Sequence, residues 1–188
     1  KENKPHIVNL LETAKIESGA YAGTNNLHEG KLSGLDLSFD ASQVLFGWCE
    51  GSSAKMGALG SPFDIYRMNI DGSGVAQLTE GDEWSEYHPF YMPNGRIGFI
   101  TTVRNGGNRC GPFVYTATLA SMAADGSDRY QLSWHETNEL NPSVDNNGQI
   151  VYTRWDYVDR EANYFHNIWT CGIDGTDPRA YHGNYPKP

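Results

Sequence analysis

Tyr91-Met92-Pro93-Asn94-Gly95-Arg96-Ile97-Gly98-Phe99 decides the fold, because it recurs. Ser38-Phe39-Asp40-Ala41-Ser42-Gln43-Val44-Leu45-Phe46 aligns with it upstream, and Val144-Asp145-Asn146-Asn147-Gly148-Gln149-Ile150-Val151-Tyr152 downstream. The closing aromatics stand at 46, 99 and 152, a spacing of 53 residues both times. Each stretch is a polar turn leading into a β-rich run, and Asn-Gly supplies the positive φ that a tight hairpin needs. A second marker follows each: an apolar run closed by Asp71-Gly72-Ser73, Asp125-Gly126-Ser127 or Asp174-Gly175-Thr176. Self-similarity at a fixed period marks repeat units that bury their apolar faces against one another.

Each unit reads as four short strands. Strand A covers 35–39, 87–92 or 140–144, and strand B ends near Phe46, Phe99 or Tyr152. Strand C covers 65–70, 118–123 or 165–173, and strand D covers 75–79, 129–134 or 179–181. Four antiparallel strands with no helical periodicity between them make a propeller blade. A sandwich would not repeat its turn chemistry so faithfully. The expected fold is all-β: a β-propeller with three four-stranded blades visible, a partial ring of a larger propeller. The expected blades are residues 35–80, 81–135 and 136–188. Residues 1–34 are expected to form an N-terminal segment holding strands of a preceding blade, or a short helix around Ile7–Leu11. Closed rings take about 4–8 blades, so three leave strand edges in need of cover. The expected partners are therefore the remaining blades or domains of a longer parent protein, or a second copy.

The 14 Lys and Arg against 23 Asp and Glu give a formal charge of −9. That balance excludes the basic footprint of a nucleic-acid groove. No apolar run is long enough to span a bilayer as a helix. The abundance of Gly, Asn, Ser and aromatic residues suits an exported β protein, periplasmic or extracellular.

Alternating strands put the tight A–B and C–D turns on one face and the variable B–C and D–A loops on the other, where ligand chemistry is expected. The candidate ligand-binding residues are His88, Glu86, Glu139, Arg154, Trp155 and His135. His88 and Asn141 stand before Pro89 and Pro142, and Glu86 and Glu139 are 53 residues apart. All four are expected at the mouth of the central channel, where they bind a cation or polar ligand or else hydrogen-bond the backbones of neighbouring blades. The stretch Tyr152-Thr153-Arg154-Trp155-Asp156-Tyr157-Val158-Asp159-Arg160 offers an anion clamp and a stacking face; an Arg–Asp pair within the blade explains it equally. Cys49 and Cys110, in B–C loops of adjacent blades, are candidates for a disulfide, with Cys110 alternatively a metal ligand. Cys171 falls opposite Met68 and Met122 and reads as a small core filler.

No Cys-x-x-Cys-His, Gly-x-Ser-x-Gly, Walker or His-Glu-x-x-His motif occurs, so no catalytic residue is assigned. A polysaccharide lyase on this scaffold would draw its base and carboxylate-neutralising group from His88, His135, Arg154 and Tyr157. A lectin would stack sugars on Trp48, Trp84 and Trp155.

Over residues 30–185, the chain resembles the propeller region of proteins related to the hydrazine synthase alpha subunit. The resemblance rests on Tyr91–Ile97, Met122–Asp128 and above all Gln149–Arg160 followed by Asn167-Ile168-Trp169 and Asp174-Gly175-Thr176. More distantly the chain is similar to TolB-like propeller repeats of periplasmic proteins. The resemblance implies a propeller inside a larger exported protein, with any haem held outside this segment and no cofactor within it except a metal ion near Cys110. The expected role is that of a scaffold or binding module in a protein assembly; the alternative is part of a multihaem redox subunit.

Overall fold

The computed structural model describes residues 7–51, 61–81, 83–108, 111–157 and 166–182, and the backbone alone for 111–114. Three sheets follow one another along the chain. The first holds β1 (Ile16–Ser18), β2 (Lys31–Leu37), β3 (Gln43–Cys49), β4 (Asp64–Asn69) and β5 (Val75–Gln77), in the order β1-β5-β4-β3-β2. The second holds β6 (Glu86–Tyr91), β7 (Ile97–Thr101), β10 (Thr118–Met122) and β11 (Tyr130–Gln131). Between β7 and β10, β8 (Gly107–Asn108) and β9 (Gly111–Tyr115) form a small hairpin. The third holds β12 (Glu139–Val144), β13 (Ile150–Trp155), β14 (His166–Cys171) and β15 (Arg179–His182). Apart from β1, every pairing within a blade is antiparallel, and the whole is a partial β-propeller.

The recurring turns have a common cause. Asp71, Asp125 and Asp174 each accept the backbone N–H two residues on at 3.0 Å and that residue's hydroxyl at 2.6 Å. The intervening Gly72, Gly126 and Gly175 sit at φ of 87°, 88° and 81°, where a side chain is strained. These bonds favour the ionised carboxylate and hold all three Asp groups below the usual carboxylate range.

Strand pairing fixes which residues correspond. Val44 faces Met68, Ile97 faces Met122 and Ile150 faces Cys171, so Cys171 does stand in the place of two methionines. The first A–B turn differs in length. It runs from Ser38 to Gln43, closed by the Ser38 N–H on the Gln43 carbonyl, whereas Met92 to Arg96 closes the second. That extra residue makes Leu37 the counterpart of Tyr91, so the innermost strand of the first copy lies one position off the 53-residue alignment.

Apolar seams join the blades. Leu45, Ile65 and Leu78 of the first blade pack on Ile97, Phe99 and Met122 of the second. Ile100, Leu119 and Leu132 of the second pack on Ile150, Tyr152 and Cys171 of the third. The outer face of the first blade (Val44, Phe46, Trp48, Tyr66, Met68) is covered by Ala14, Ile16 and Leu27, with Leu10, Leu11 and Tyr21 against them. The opening segment, expected to hold strands of a preceding blade or a short helix, forms a short 3-10 helix at Leu10–Glu12, adds β1 to the first sheet and caps that sheet's face. A Cβ at Gly72 would lie 3.6 Å from Leu10, at the place where one at the equivalent Gly126 or Gly175 would meet Leu78 or Leu132. Apolar side chains at 10, 11, 16 and 27 substitute for a neighbouring blade.

Candidate functional sites at the axial mouth and the seams

The structure divides the six candidate residues among different places. His88 and Asn141 line one cavity of about 300 Å³, shared with Gly34 and Asp36, beside the innermost strands, where the axial mouth is expected. Each sits at a bulge in the innermost strand of its blade, between residues 87 and 90 or between 140 and 143. The backbone is left-handed at Gly34 (φ 68°), His88 (49°) and Asn141 (49°). Sequence reasoning missed Gly34, because the longer first turn shifts it by one. A Cβ there would fall 2.7 Å from the His88 Cα, so the first blade needs glycine at this bulge. Burial pushes the His88 imidazole below its ordinary value, and its Nδ1 is enclosed without a hydrogen-bond partner among the described residues. Asp36, which accepts the Tyr91 N–H at 2.7 Å, is raised by burial.

Glu86 and Glu139 are absent from this mouth. They turn into the seams, 6% and 1% exposed, and clasp one blade to the next. Their backbone N–H groups donate to the carbonyls of Phe63 and Ala117 on the preceding blade, both at 2.8 Å. The Glu139 carboxylate accepts the Leu119 N–H at 2.8 Å and the Ser133 hydroxyl at 2.7 Å. Glu86 reaches the corresponding strand through Thr79, whose hydroxyl accepts the Ile65 N–H at 2.9 Å, and lies 3.5 Å from Arg129. Burial raises both carboxyls. Hydrogen bonding between blades, the second alternative, is what this pair shows: these residues hold neighbouring strands together.

His135 and Arg154 meet Glu139 at a cavity of about 260 Å³ in the second seam. Asp156, 4% exposed, organises them: it accepts from Arg154 Nε at 2.7 Å and Trp169 Nε1 at 3.0 Å, and lies 3.7 Å from His135 Nε2. The guanidinium also stacks on Trp169, 3.1 Å from the ring centroid. His135 is lowered chiefly by burial and then by Arg154, so its ring is neutral at pH 7. An Arg–Asp pair within the blade is therefore the observed arrangement. Trp155 stacks on His166 with centroids 5.8 Å apart. His88 lines a different cavity from His135 and Arg154, which share one.

Trp48 is 2% exposed and donates to the Leu27 carbonyl at 2.9 Å, so it serves as a core residue and not as an open stacking platform. Cys49 is a buried free thiol, and Cys110, with its proposed disulfide and metal roles, lies outside the described residues. Among the described residues no His, Cys, Asp and Glu grouping is able to hold a metal ion, and no helix is long and apolar enough to cross a membrane.

No protein-family model matches the sequence, and no curated protein does. Solved structures do. Hydrazine synthase from Kuenenia stuttgartiensis superposes with a TM-score of 0.64 at 14% identity, over 79% of this chain and 25% of that one. A putative TolB from Agrobacterium tumefaciens gives 0.56 at 19% identity, over 80% and 48%. A nidogen/laminin complex gives 0.51 at 18%, over 79% and 47%. At these identities the likeness establishes the β-propeller fold alone, and the chain spans less than half the length of each of these three.

Proposed function

We propose that this chain is a propeller module of a larger exported protein, acting as a scaffold or binding module in a protein assembly, and that the outward face of its third blade meets the partner. The carrying observation is a contrast between equivalent positions. Ile65 and Leu119 are 0% exposed beneath the following blade, whereas their counterpart Ile168 is 45% exposed. Leu78 and Leu132 are 7% and 8% exposed, and Tyr181, at the same place on the outer strand, is 67% exposed. Both earlier copies of this face are covered by a four-stranded blade, so the occupant assigned to the third is one more blade of the same pattern. Export accords with the TolB-like repeat pattern in the sequence.

Light scattering across a concentration series, with an apolar dye as a second probe, tests this reading. The expected result is concentration-dependent association and dye binding, both lost in the Ile168→Lys/Tyr181→Lys chain while its circular dichroism is unchanged. A chain that stays monomeric and binds no dye overturns the open face. A stable dimer of fixed size overturns the assigned occupant in favour of a second copy.

A further inference from the structure

We propose that the cavity in the second seam binds a guanidinium group carried on a short apolar stem. The first seam shows the chemistry. There Arg129 lays its guanidinium between two blades: Nε donates to the Gly126 carbonyl at 2.9 Å and one terminal nitrogen to the Leu78 carbonyl at 3.3 Å, while the other lies 3.5 Å from the Glu86 carboxylate. The residue at the same place in the third blade is Pro178, since Met122 and Cys171 are counterparts and each stands seven residues earlier.

The counterparts of all three acceptors line the cavity of about 260 Å³: Gly175 for Gly126, Leu132 for Leu78 and Glu139 for Glu86, with Pro178 beside them. The backbones meet alike in both seams, because a Cβ at Gly126 would collide with the Leu78 carbonyl and one at Gly175 with the Leu132 carbonyl. Yet neither the Gly175 nor the Leu132 carbonyl accepts a hydrogen bond among the described residues. Charge points the same way. Arg154 also lines the cavity, but it comes paired with Asp156, and where these two stand the second blade has Thr101 and Val103. They are a neutral addition to the third blade. Glu139 is bonded to neutral donors, the Leu119 N–H and the Ser133 hydroxyl, and has no ion pair among the described residues. With His135 neutral at pH 7, an ionised Glu139 leaves the lining with a net negative charge.

The acceptors set the shape of the ligand. A guanidinium presents its N–H groups as a planar fork and reaches two carbonyls with a carboxylate behind them, as Arg129 does, whereas an ammonium is a compact point charge. The cavity is smaller than the roughly 300–1,000 Å³ of pockets for drug-sized ligands, so the stem is a few carbons long. Tyr152 and Cys171 give that stem an apolar wall.

An NMR titration of the 188-residue chain with methylguanidinium chloride, against methylammonium chloride at equal ionic strength, tests the site. Saturable shifts of the Ser133 and Thr176 amides, which adjoin the two carbonyls, are expected with methylguanidinium at millimolar concentrations, and binding about fivefold or more weaker with methylammonium. Pro178→Arg, which supplies the side chain from within, should abolish these shifts and raise the melting temperature, while Pro178→Ala keeps them. Arg129→Ala should add a second set of shifts at Thr79 and Ser127, and methylguanidinium should restore the melting temperature that this variant loses. Comparable or tighter binding of a blocked arginine peptide would assign the site to a protein arginine, and weaker binding of that peptide to a small molecule. Failure to saturate, equal binding of methylammonium, unchanged shifts in the Pro178→Arg chain, or no second set in a folded Arg129→Ala chain would each overturn the proposal.

Discussion

The two end blades solve the same problem in opposite ways. The first covers its outer face with its own N-terminal segment, down to a leucine at the glycine of the Asp71 turn. The third leaves Ile168 and Tyr181 on a face whose two earlier copies are sealed. Because the three blades share the Asp-Gly turns and the pairing of their middle strands, the difference lies in what is added to a common unit. A covered flank and an exposed flank thus distinguish the two end blades.

The largest effect expected from breaking this contrast comes from equivalent truncations. Leu119→Ala, in a sealed seam, should cost about 3 kcal/mol through lost burial and the cavity left behind. Ile168→Ala should cost under about 1 kcal/mol, since little burial is lost at an exposed site. Paired urea melts measure both, and equal costs would mean that the third face is covered.

Asp64 sharpens the first-blade side. Its carboxyl is raised from 3.8 to about 7, so the folded state holds its proton more tightly and this contribution to stability is lost as pH rises through 7. Asp64→Asn should therefore stabilise the chain by roughly 2 kcal/mol at pH 8 and by little at pH 4. Thermal melts at the two pH values check the sign. The smallest effect expected is at the longer first turn, where Ala41 sits at φ 56°: Ala41→Gly should add about 1 kcal/mol. An unchanged melt would show that the turn carries no strain.

Much of this was legible in the chain itself. The Asn-Gly and Asp-Gly turns and the 46/99/152 spacing predicted three blades, because turn chemistry is local and repeats with the backbone it serves. The cap was not legible: β1 pairs in parallel with β5, some 60 residues later, and three residues of strand leave no periodicity to read. Among site residues, the equivalence of His88 and Asn141 followed from the repeat. The inward turn of Glu86 and Glu139 did not, because which way a carboxylate points at a strand end depends on the blade beside it. The bulge at Gly34 was hidden by one inserted residue in the preceding alignment. Asp64 escaped notice for a different reason: an acid at a strand end reads as a solvated surface group until burial reveals otherwise.

Hydrogen–deuterium exchange along β4, β10 and β14 of the isolated chain addresses the asymmetry most directly. The amides of β4 and β10, sandwiched on both sides, should be strongly protected, while those of β14 should exchange at least tenfold faster. Uniform protection across the three strands would contradict an open third flank.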